Sequence, residues 1–191
     1  YPPMATQLES LKQHSLVVAD TGDVGAVARW KPQDATTNPS LLLASAQEAR
    51  YRPLVDEALE RGQRQAAPTL EWLFVVFGRE ILKHVKGRVS TEVDARLSFD
   101  TEGSIAKARR FAELYESAGV PRERVLIKLA STWEGIRAAE RCPNIYLGLC
   151  DWQVLGAVGD ENIPELLRVI RNFLDRVGPL RRALMHEGVA P

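Results

Sequence analysis

A chain of 191 residues has enough material for one domain with a substantial core, and a second domain is not required. Its lysines plus arginines equal its aspartates plus glutamates at 25 each, so no net field draws it to nucleic acid or an anionic membrane, and a small or neutral partner is expected. The 45% hydrophobic and 26% charged residues exclude a disordered polymer, and the lack of a secretory signal over residues 1–7 or of any bilayer-length apolar run points to the cytoplasm, with no membrane partner.

Residues 7–13 read as a short helix before the first strand. Residues 15–20 are an apolar run that ends in the carboxylate of Asp20, followed by the turn residues Thr21, Gly22 and Asp23 and a helical stretch to Trp30. Leu16, Val18 and Asp20 share one face. A second extended piece, 34–38, puts Asp34, Thr36 and Asn38 on one face, with Asn38 at an N-cap position and Pro39 as the first helical residue. Helical periodicity follows over 41–46 and roughly 53–65, and 68–85 is a strongly apolar helix closed by Gly87.

Residues 89–96 alternate, with Val89, Thr91, Val93 and Ala95 on one face and Ser90, Glu92, Asp94 and Arg96 on the other. Taken alone, that polar face is the pattern of a solvent-facing edge strand. Residues 100–118 form an amphipathic helix with Ile105, Ala108, Phe111, Ala112 and Tyr115 inward and Gly119 at its end.

Residues 125–130 then read as a strand covered on both faces, with one charge where the pattern asks for none. Lys128 shares a face with Leu126 and Ala130. An ammonium there is costly unless paired, and desolvation moves a lysine toward the free amine that attacks ketones and aldehydes. The other reading is a salt-bridged lysine, or one that snorkels out from a strand end. Ser131-Thr132-Trp133-Glu134 fits a Ser-x-x-Glu capping box, so a helix to about residue 140 starts directly after the strand.

Strands and helices thus alternate four times, which argues for parallel strands wrapped by crossover helices, the α/β pattern of a partial (β/α)8 barrel. Near its carboxyl end each strand offers a polar residue: Asp20, Asn38, Glu92 and Lys128. In barrels the active site is assembled at those ends, and an amine with carboxylates and an amide beside it suits carbonyl chemistry. The convergence favours Lys128 as the nucleophile and weakens the exposed-edge reading of Glu92. Cys142 and Cys150 match neither a zinc pair nor a redox motif, and no metal ligand set is read. His14, His84 and His186 stand isolated.

The segments 17–23, 34–40, 90–98 and 127–140 together closely resemble the transaldolase family, in that family's order, from about Met4 to Glu140. The resemblance implies a TIM-barrel enzyme of the pentose phosphate pathway that moves a dihydroxyacetone unit from sedoheptulose 7-phosphate or fructose 6-phosphate to an aldose phosphate, with no metal or cofactor. By position, Lys128 matches the family's Schiff-base lysine and Asp20 the acid/base at the C4 hydroxyl. Glu92 matches the residue that works through a water on the Schiff base, and Asn38 one that holds the three-carbon unit, with Thr36 beside it as a further substrate-binding residue. Asp34, Asp94 and Arg96 are left out as an equally good structural charge network.

The match stops near residue 140. A complete barrel needs roughly 250 residues, and the four units have used about 140. The division is therefore 4–141 as the N-terminal half of a transaldolase-like barrel and 142–191 as a divergent tail, helical at 164–177, in which 145–149 can pair as a fifth strand. Half a barrel leaves open sheet edges and a wetter lysine, so the alternative is a catalytically inactive half-barrel that acts through self- or hetero-association, with a homodimer as one form.

Overall fold

The computed structural model describes residues 6–142 and the backbone of 145–148. Five parallel strands, β1 (Val18–Asp20), β2 (Asp34–Thr36), β3 (Val89–Glu92), β4 (Val125–Ala130) and β5 (Ile145–Gly148), lie side by side in sequence order. Between and before them run the helices α1 (Gln7–His14), α2 (Val24–Trp30), α3 (Pro39–Ala46), α4 (Arg52–Arg61), α5 (Ala66–Leu82), α6 (Thr101–Ser117) and α7 (Trp133–Glu140).

An all-parallel sheet whose order never reverses needs every crossover on the same side, because such crossovers are right-handed. One face is then roofed by helices and the other is the concave interior of a barrel-type sheet. Burial follows that division. On β4, Val125, Ile127 and Leu129 are buried against the helices, while Leu126, Lys128 and Ala130 on the opposite face are only half-buried. The core thus lies between sheet and helices, with Phe74, Val75, Phe77 and Ile81 of α5 and Ile105, Phe111, Leu114 and Tyr115 of α6 packed on the strands.

Asn38 caps α3 as the sequence predicts, its Oδ1 accepting the Leu41 N–H at 2.9 Å, with Pro39 at the first helical position. Three expectations are corrected. The helix predicted over 53–65 stops at Arg61, because Gln63 and Arg64 turn the chain at φ 52° and 58°. The strand predicted over 89–96 ends at Glu92; Asp94 leaves it, and its side chain accepts the Arg96 N–H at 2.9 Å to cap a 3₁₀ turn over Ala95–Leu97. The α7 cap is Thr132, whose hydroxyl accepts the Gly135 N–H at 3.0 Å, and Ser131 lies outside the helix. The edge-strand reading of β3 is also set aside, since it pairs with β2 on one side and β4 on the other. The fifth strand forms as expected and pairs with β4. The tail helix expected at 164–177 falls outside the described residues.

Two features fix the helical layer to the sheet. Arg124, just before β4, donates to the carbonyls of Leu82 (3.3 Å), Val85 (2.9 Å) and Gly87 (2.5 Å), closing the end of α5 onto the strand. Removing a charged donor from such acceptors costs about 1.5–3 kcal/mol, so Arg124→Ala is expected to lower the unfolding free energy by about 2 kcal/mol in urea titrations, with an unchanged slope.

The second is Tyr115, fully buried, whose hydroxyl shares a 2.6 Å hydrogen bond with Thr91 and reaches the Phe74 carbonyl at 3.3 Å. Burial pushes its pKa far above the ordinary 10.0, with only a partial offset from Thr91. A folded pKa above the unfolded one means the contribution is complete below pH 10 and is lost as the pH climbs toward the folded value. Denaturant midpoints measured from pH 9 to 11.5 are expected to fall above pH 10, with a shallower fall in Tyr115→Phe.

Candidate active site

At the carboxyl ends of the strands the concave face opens into a cavity of about 1060 Å³, and Asp20, Asn38, Glu92 and Lys128 all line it. Glu92 and Lys128 lie directly opposite each other in the β3–β4 register. Their side chains meet, Lys128 Nζ standing 3.0 Å from Glu92 Oε2, with 14% and 25% of the two side chains exposed. Both readings of Lys128 thus describe the geometry: the amine is paired, and it faces the cavity.

Asp20 closes β1 and is exposed. Two strands separate β1 from β4, and the concave face brings the side chains of Asp20 and Lys128 to the lining of one cavity. Asn38 uses one lone pair of its Oδ1 in the α3 cap, and its Nδ2 group is the donor it can offer the cavity.

Thr36 is placed differently from the other four. It is 5% exposed, does not line the cavity, and sits in one register row with Asp20 on one side and Ser90 on the other. The hydroxyls of Thr36 and Ser90 are both buried without a hydrogen-bond partner, an arrangement that costs about 1–3 kcal/mol for each group.

The sequence reading missed the outer wall of the cavity. Asp94, Arg96 and Ser98 from the turn after β3, Leu70, Glu71 and Phe74 from α5, and Lys107 and Phe111 from α6 complete it. Lys107 pairs with Glu71 at 2.5 Å, and Arg96 is paired with Asp94. The Arg96 hydrogen bonds, then the Asp94 N-cap bond, hold the Asp94 carboxyl below its usual range against burial. Helical periodicity marked Phe74 and Phe111 as core, and only the topology reveals that the first turns of α5 and the middle of α6 border the mouth. Asp34 proves structural, accepting the Arg88 N–H at 2.8 Å. Among the described residues no group of three or more histidine, cysteine or carboxylate side chains is gathered for a metal ion.

These features agree with what the chain is similar to. The family model described as transaldolase/fructose-6-phosphate aldolase matches residues 17–144. A curated transaldolase of Sus scrofa is 58% identical over 144 residues, covering 72% of this chain and 43% of that protein. Transaldolases of Aliivibrio salmonicida and Rattus norvegicus are 56% and 55% identical over the same length, covering 46% and 43% of their chains. The matched part is therefore somewhat under half the length of these curated relatives. Lys128, Glu92, Asp20 and Asn38 all fall inside the matched segment, and the chain belongs to the transaldolase/fructose-6-phosphate aldolase family.

Proposed function

We propose that this chain carries transaldolase chemistry: transfer of a dihydroxyacetone unit from sedoheptulose 7-phosphate or fructose 6-phosphate to an aldose phosphate, through a Schiff base on Lys128, in the cytoplasm and without metal or cofactor. The observation behind this reading is the amine of Lys128, 3.0 Å from the Glu92 carboxylate, in a cavity that also receives Asp20 and Asn38.

In this reading the amine adds to the C2 carbonyl and water leaves, with Glu92 moving protons through a water. The resulting iminium takes the electrons of the C3–C4 bond as Asp20 takes the proton of the C4 hydroxyl, and an aldose phosphate departs. The enamine left behind attacks the acceptor aldehyde, whose new hydroxyl recovers its proton from Asp20. Hydrolysis then frees the ketose and the amine. Asn38 donates to a hydroxyl of the three-carbon unit, and Thr36 supports it from the row below.

A second reading has its own support. Among the described residues β1 and β5 are the two ends of the sheet, edges that another strand can pair with. That favours a non-catalytic chain which acts by pairing with itself or with longer subunits.

The two readings part in one assay, with fructose 6-phosphate as donor and product analysis with and without an aldose phosphate. Transfer supports the first reading, and cleavage without transfer limits it to aldolase chemistry. No turnover, with a dimer by light scattering, replaces it with the second.

A further inference from the structure

We propose that Tyr51 and Asp23 are positioning residues for Asp20, tying the turn that carries its carboxylate to the protein core. The inference rests on the proposed role of Asp20 and adds to it two side chains that the motif gave no role.

Only Thr21 and Gly22 separate Asp20 from Asp23, the N-cap of α2. The Thr21 N–H donates to the Thr36 carbonyl at 3.1 Å, and the Asp23 N–H donates to the Thr21 hydroxyl at 3.0 Å. Gly22 lies so close to α3 that a Cβ there would stand 2.7 Å from the Leu41 carbonyl oxygen. The turn is therefore seated on β2 and α3 with no spare room.

An N-cap aspartate needs only the amides of its own helix, and Asp23 takes that of Ala26 at 3.1 Å. It takes more than that. The Tyr51 hydroxyl donates to Asp23 Oδ1 at 2.5 Å while accepting the Gly25 N–H at 2.9 Å, and Arg50 stands 3.1 Å from Oδ2. Tyr51 comes from the 3₁₀ turn before α4, 28 residues along the chain. Its ring is 7% exposed and meets Phe77 of α5 edge-on at 5.5 Å. One phenol thus links the first turn of a seven-residue helix, the cap and the central core. A helix that short has little means of holding its own start, so the tether decides where the preceding turn, and Asp20 with it, comes to rest. Glu92 and Lys128 stand on β3 and β4, and none of these hydrogen bonds or ion pairs involves either strand.

Tyr51→Phe keeps the ring and removes the tether. The expected result is a split. Amide exchange over 21–26 accelerates about 10-fold or more while that of β3 and β4 holds. Borohydride capture of fructose 6-phosphate on Lys128 stays within about twofold, but the trapped adduct shifts from the three-carbon unit toward the uncleaved six-carbon sugar as C3–C4 cleavage slows by about 10- to 100-fold. Unchanged exchange and cleavage would overturn the proposal, as would equal losses of capture and cleavage, which mark general loosening. If the wild-type chain captures no sugar, the Schiff-base reading fails and takes the catalytic part of this one with it. The exchange measurement still reads separately whether Tyr51 holds the turn.

Discussion

Lys128→Arg is expected to abolish covalent capture of fructose 6-phosphate and to reduce any turnover by at least about 10³-fold, while the protein stays folded. Arginine preserves the cation opposite Glu92, so the pairing seen at 3.0 Å has a replacement, but its guanidinium stays charged and cannot form the imine. Lys128→Ala is expected to lose capture equally and to lose stability as well, by about 1–3 kcal/mol, because it leaves the half-buried Glu92 carboxylate without its cation. The pair of variants separates the two readings of this lysine. A purely structural cation would show its effect in the alanine variant alone, in unfolding, with capture retained by arginine. The chain has six lysines, of which Lys107 also lines the cavity, paired with Glu71 on the outer wall. Lys107→Ala is accordingly the control, expected to keep capture.

The largest stability effect is expected where α5 meets α6. A Cβ on Gly78 would overlap the Tyr115 hydroxyl and stand 2.9 Å from its Cζ, in a region where both residues are buried. The ring cannot swing outward, since the hydroxyl is shared with Thr91 on β3 and reaches the Phe74 carbonyl. Overpacking costs about 1–3 kcal/mol and a buried hydroxyl deprived of its partner about 1–3 more, so Gly78→Ala is expected to lose about 3–5 kcal/mol, near 10 °C in melting temperature. Adding Tyr115→Phe removes the atom that the new methyl meets first. The double variant is expected to melt above Gly78→Ala, a non-additivity that differential scanning calorimetry would read directly. Additive losses would place the strain elsewhere.

The parts of the fold legible in the sequence were those governed by local rules. The Asn38-Pro39 cap was readable because a cap and a fixed φ act within three residues. β4 was readable as a strand, but its apolar run reads as covered on both faces, whereas only Val125, Ile127 and Leu129 are buried and the Lys128 face borders the cavity. Element ends were less so. Alternation from Val89 to Arg96 persists beyond the strand, and only the ion pair and cap made by Asp94 reveal that the chain has already turned. Ser131 and Thr132 are equivalent caps on paper, and the choice falls to Thr132, whose hydroxyl takes the N–H of Gly135, a residue packed so closely on the Ala130 carbonyl that a side chain would overlap it.

For the site, strand polarity marked Lys128, Glu92, Asp20 and Asn38, because one carboxyl end per strand is a property of the repeating unit. The outer wall from Glu71, Lys107 and Arg96 was hidden, since it depends on how two helices approach a turn. Thr36 shows the limit of the same logic: it shares a face with Asn38, two residues on, and yet is buried and does not line the cavity. The match of the family model to residues 17–144 covers the four strand ends.

We propose the Lys128 amine, held beside Glu92 on adjoining parallel strands, as the group that meets the sugar carbonyl. The most direct measurement is peptide mapping by mass spectrometry after incubation with fructose 6-phosphate and borohydride reduction. A reduced sugar adduct on the peptide containing Lys128, diminished in Glu92→Gln, is the predicted result. An adduct confined to Lys107 or to the surface lysines, or none at all on a folded chain, would contradict it.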